Sequence, residues 1–154
     1  MRLRKARPAR NGEHARMALL TWSESLALGH AQMDATHVEF VDRLAALEAA
    51  LAGGDATDAL AALVAHTEAH FAQEDRWMAA LGFGADTCHA FQHRSVLNVL
   101  REVQRLHAEK PDLALLQRLA RELAQWFPVH ARTMDAGLAA TMAERGFEPA
   151  PAAA

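Results

Sequence analysis

In His70-Phe71-Ala72-Gln73-Glu74 an imidazole and a carboxylate stand four residues apart inside a strongly apolar pattern. On a helix that spacing sends both side chains out of one face, the face that Leu63, Val64, Thr67, Phe71, Met78 and Leu81 would bury. A buried carboxylate beside a buried imidazole needs a cation. His89 and His93 are likewise one turn apart and can hold one ion between them. A single histidine in an apolar stripe is ordinarily a satisfied core residue. Here His37, His70, His89, His93 and His130 fall at matching positions on four expected helices, which reverses that expectation. Five imidazoles with the carboxylates of Glu74 and Asp135 exceed what one tetrahedral zinc would take. They suit two ions with the carboxylates bridging.

Four helices are needed to bring these groups together. The first is expected from Asp34 to Leu51, with His37, Phe40, Val41, Leu44 and Leu47 in one stripe, ended by Gly53-Gly54-Asp55. The second runs from Thr57 to Leu81, where Leu60, Val64, Thr67, Phe71, Glu74, Met78 and Leu81 alternate steps of four and three. Gly82-Phe83-Gly84 breaks it. The third begins at Asp86 or Thr87 and stops at Lys110-Pro111-Asp112; the fourth continues from Asp112 past Asp135 toward Met142. Amphipathic helices joined by short turns pack as an up-down-up-down antiparallel four-helix bundle, so the chain is expected to be all-α.

Composition agrees: 51% of the residues are hydrophobic, Tyr is absent and prolines number five, which favours helices over sheet. At 154 residues one domain suffices. Residues 1–16 carry six of the 16 Lys and Arg but one of the 19 acidic residues, without apolar periodicity, so a disordered basic arm is expected there, with Met17 as an alternative start. The bundle is assigned to 17–146, led by an ordered arm that Trp22 packs down, and 147–154 to a disordered tail. The acidic body argues against nucleic acid as a partner. No stretch could span a membrane, and a lone Cys88 fits a reducing, cytoplasmic setting.

The order of these residues resembles the hemerythrin family, in particular its single-domain bacterial members, over Trp22 to Leu138. The family pattern of a His shortly after an Asp, then HFxxE, HxxxH and HxxxxD, is met by Asp34 with His37, His70 with Glu74, His89 with His93, and His130 with Asp135. The resemblance implies one iron held by His89, His93 and His130 and another by His37 and His70. Glu74, Asp135 and an oxo or hydroxo group would bridge them, and one position on the second iron would stay open. It further implies reversible binding of dioxygen by a carrier rather than an enzyme, expected as a monomer. Leu44, Phe40, Phe71, Trp126 and Phe127 are candidates to line a dry pocket around it. The alternatives are a di-iron oxidase, peroxidase or nitric oxide handling enzyme on the same bundle, or an iron-dependent regulatory module. Ferritin-like oxygenases use paired Glu-x-x-His motifs, and this chain has none.

Thr36 stands where the family commonly has Gln, and Gly84 where it often has Pro. Pro128 removes a helical N–H two residues before His130, at a cost of about 3 kcal/mol in a regular helix interior. Asp135 follows His130 by five residues, about 140° beyond a full turn, so α-helical geometry alone does not pair them; the resemblance carries that assignment. His66 could pair with His70, but Glu74 would then be buried without its ion, so His66 is expected outside the donor set. His107 is expected to be exposed near the bundle end and Cys88 to be a plain thiol pointing away from His89, while His14 and His30 have no partner in sequence. Asp34 and Asp86 each precede a ligand candidate by three residues, and either orient it or cap a helix.

Overall fold

The side chains of His30, Thr87 and Asp112 each take up a free backbone N–H at the start of a helix. The computed structural model describes residues 17–151; the basic arm expected at 1–16, with His14, and residues 152–154 lie outside the described residues. The elements are α1 (Ala31–Gly53), α2 (Thr57–Ala80), α3 (Cys88–Glu109), α4 (Leu113–His130) and α5 (Ala136–Glu144), the last two joined without a break by a π-helical turn at Ala131–Asp135. Thr87 accepts from the N–H of Ala90 and Asp112 from that of Leu115, fixing the starts of α3 and α4. α1 starts three residues before its expected position because His30 caps it, Nδ1 accepting from the N–H of Met33 at 3.3 Å. The His30 ring also lies 5.4 Å from that of Trp77, on an element distant in sequence.

α1 packs on α2 and α4, and α3 on the same two, through short connections that make sequence neighbours antiparallel. This is the up-down-up-down bundle, and no strand occurs among the described residues. Ahead of it, a short 3-10 turn at Glu24–Leu26 buries Leu26, and Leu20 and Trp22 pack against the core. Asp34 accepts from the N–H groups of Leu28 and Gly29 at 2.7 and 3.1 Å, which ties the arm to α1. Gly29 has φ 76°, a conformation that only glycine adopts freely.

The apolar core comes in two parts. The larger is built from Phe40, Leu44, Leu47, Leu60, Leu63, Leu100, Leu116, Leu123 and Phe127 among others. The smaller, at the opposite end, gathers Met33, Trp77, Met78, Leu81, Ala90, Leu138, Ala139 and Met142. Between them each long helix contributes buried polar side chains, so the candidate site is a polar layer across an otherwise apolar bundle.

One expectation needs correction. His107 is buried, not exposed: its Nδ1 accepts from the N–H of Asp112 at 3.1 Å and closes the α3–α4 turn from inside. Contact also continues past residue 146, since Phe147 packs on the smaller core and Gln32 donates to the carbonyls of Pro149 and Ala150, both at 3.2 Å.

Candidate metal centre

His37 projects from α1 one turn after Met33, and His70 and Glu74 from the middle of α2, between the two apolar cores. His89 and His93 lie in the first two turns of α3, a register set by the Thr87 cap. His130 ends α4 and Asp135 ends the π turn. Five residues bring Asp135 back to the face of His130 because a π turn is wider than an α turn, and His130 Nε2 lies 3.1 Å from Asp135 Oδ1. Pro128 does not break α4; the departure from α geometry comes three residues later, between the two functional side chains.

The seven side chains form two donor sets that share both carboxylates. One is His89, His93 and His130 with Glu74 and Asp135; the other is His37 and His70 with the same pair, and within each set all ligand atoms lie within 4.8 Å of one another. Each carboxylate divides its oxygens. Glu74 Oε1 is 2.9 Å from His70 Nε2 and 3.5 Å from His37 Nε2, while Oε2 is 3.2 and 3.4 Å from the Nε2 atoms of His89 and His93. Asp135 Oδ2 is 3.1 Å from His37 Nε2, and Oδ1 is 2.9 Å from His89 Nε2.

All seven residues are buried, and His89, 7% exposed, comes nearest to solvent. Although close to opposite partners, Nε2 of His37, His93 and His130 and both oxygens of Asp135 lack an aligned hydrogen bond. Leaving such atoms unsatisfied costs about 1–3 kcal/mol each, and a cation at each centre would satisfy them together. Imidazole and carboxylate donors in this number suit first-row transition metals, so the residues fit the expected ions.

In the chain by itself, protons stand where cations would. Burial disfavours the charged ring of His37, but the adjacent carboxylates of Asp135 and Glu74 outweigh it, raising it to about 9. His89 is raised to about 9 by the same competition. Burial opposes ionisation of Glu74, yet the charge of His70 and contacts from His37 and His89 hold it well below the usual carboxylate range. Asp135 is held down by His130, His37 and His89 against burial and the charge of Glu74. Burial lowers His130, with the like charges of His93 and His89 adding to the effect.

Aromatic rings frame both halves. Phe71 stacks on His93 at 4.0 Å and Trp126 on His130 at 4.4 Å, whereas Phe127 meets His37 edge-on at 5.2 Å and stacks on Phe40. Leu44 belongs to the larger core beyond them. His66 lies outside the donor set: its Nε2 donates to the Thr36 carbonyl at 3.2 Å and its Nδ1 faces Glu39. Cys88 is exposed, as is Asp86, and His89 turns to Glu74 and Asp135 instead. Two contacts went unread in the sequence, Asp75 on His93 Nδ1 at 2.8 Å and Gln92 on His130 Nδ1 at 2.7 Å. Position offered a hint, since Asp75 follows Glu74 and Gln92 precedes His93.

Fold and site together define a helical-bundle protein with two buried imidazole clusters that share two carboxylates and could each hold a metal ion. Residues 28–142 match the family model described as the hemerythrin HHE cation binding domain. A bacteriohemerythrin from Ralstonia nicotianae is 43% identical over 130 residues, covering 84% of this chain and 93% of that protein. The chain belongs to the hemerythrin family.

Proposed function

We propose that the protein is a non-haem di-iron protein that binds dioxygen reversibly, for storage, delivery or sensing. The observation that carries this reading is the division of the Glu74 and Asp135 oxygens between a three-imidazole and a two-imidazole cluster. His89, His93 and His130 would hold one iron, His37 and His70 the other, and both carboxylates would span the pair together with an oxo or hydroxo bridge. Held by these seven residues, a pair of ferrous ions would supply the two electrons that reversible dioxygen binding requires.

The protein's own contribution is positioning and exclusion of water. His37 is fully buried, with Phe127 at its edge and Phe40 behind, so the two-imidazole side faces apolar walls. Once deprotonated by bound iron, five imidazoles against two carboxylates would keep the ligand charge low and disfavour the higher iron oxidation states. No helix among the described residues is long and apolar enough to cross a membrane, and a cytoplasmic monomer is the setting we propose.

The test is an optical spectrum of iron-loaded, reduced protein under argon, in air and again after purging, with iron counted on the same sample. A charge-transfer band that appears with oxygen and disappears on purging, at two irons per chain, is the expected result. A band that forms once and decays to a ferric product favours oxidase or peroxidase chemistry.

A further inference from the structure

The two imidazole clusters differ behind the metal-facing atoms. On the three-imidazole side, His93 Nδ1–H donates to Asp75 Oδ1 at 2.8 Å and His130 Nδ1–H donates to Gln92 Oε1 at 2.7 Å. On the other side, Nδ1 of both His37 and His70 is buried without a hydrogen-bond partner among the described residues. An imidazole that donates through one nitrogen is locked in the tautomer whose other nitrogen carries the lone pair, and its ring is held at one angle. A carboxylate acceptor also makes the ring a stronger donor than an amide does.

We infer that Asp75 and Gln92 are positioning residues that fix Nε2 of His93 and His130 toward the metal and make the three-imidazole cluster the tighter holder of its ion. The inference rests on the di-iron reading. Asp75 is the stronger lever, because it adds a full negative charge behind His93, whereas Gln92 supplies a neutral amide. His93 is pinned on its other side by Phe71, stacked at 4.0 Å with 5° between the planes, so its ring cannot turn to find another acceptor without losing that contact. His130 is similarly held against Trp126. Behind its metal-facing atoms the two-imidazole cluster is oriented by packing alone, because neither Nδ1 has a partner among the described residues, which leaves its ion the first to go when a chelator competes.

The experiment loads full-length protein with zinc, a redox-silent probe, and titrates it with a chelator while counting zinc per chain. Two release steps are expected in the parent. Asp75→Ala should bring the later step forward by on the order of tenfold or more, Asp75→Asn by less, and Gln92→Ala by less than Asp75→Ala. Gln92→Glu should delay it. In the NMR spectrum of the zinc-loaded protein, the His93 Nδ1–H signal should vanish in Asp75→Ala while that of His130 persists, a selectivity that general loosening of the bundle would not produce. Parent protein with two zincs, together with an Asp75→Ala variant that releases both at unchanged chelator concentrations, overturns the inference and leaves the di-iron reading standing. A parent that takes fewer than two zincs overturns both.

Discussion

The three-imidazole and two-imidazole halves of the site use the same two carboxylates and the same depth of burial, yet they are held by different means. His93 and His130 are each fixed by a hydrogen bond behind and an aromatic ring stacked alongside. At Nδ1, His37 and His70 have apolar or imidazole neighbours in place of hydrogen bonds: His37 lies against Phe127, and the two rings are 5.0 Å apart. Directional bonds fix an atom's position closely, whereas packing fixes a ring's volume and leaves its nitrogens free of competing partners. A site that must keep an ion and also receive a small apolar ligand gains from having one half of each kind.

The largest effects should come from breaking what the halves share. Glu74 is expected to be indispensable to both, because Oε1 serves one cluster and Oε2 the other. Glu74→Ala should therefore lose both ions, whereas His37→Ala should lose one and retain the three-imidazole ion; metal counting on the purified variants reads this directly. A Glu74→Ala protein that keeps one ion would remove the shared-bridge reading.

Protonation sharpens the comparison at intermediate scale, since each half holds one histidine raised to about 9, His37 and His89. A folded-state value above the unfolded one stabilises fully below about 6.5 and is lost as pH rises through about 9. Metal-free protein should accordingly unfold at lower urea as pH is raised from about 6.5 to 9. The metal-loaded form, whose ligand imidazoles are already deprotonated, should not show that decline. The smallest effect is expected at His66, one turn from His70 but bonded to the Thr36 carbonyl: His66→Ala should keep both ions and shift the thermal midpoint by a few degrees at most.

Much of this was legible in the sequence because helical periodicity and donor spacing report the same thing, the inward face. The stripes through Leu44, Val64 and Leu100 identified the core, and those through His37, His70, Glu74, His89 and His93 identified the polar layer. What stayed hidden depended on contacts between elements or on local departures from α geometry. His107 looked peripheral because its position near the end of α3 suggested solvent, and its buried role arises from the next turn folding back onto it. Asp75, 47% exposed, sits off the apolar stripe, so periodicity classed it with the solvated face. The pairing of His130 with Asp135 needed a π turn that no residue type announces.

That turn also governs rotation. Buried positions Leu116, Leu119, Leu123 and Phe127 mark one apolar line along α4, and Leu138, Ala139 and Met142 mark another along α5. Continued as plain α-helix, the second line would be turned by about one residue's step, ~100°, away from the first. The surplus residue absorbed between His130 and Asp135 cancels that angle, so a single rod can serve both apolar cores and the polar layer between them. A one-residue insertion, ordinarily a frameshift for a helix face, is here what keeps two faces aligned.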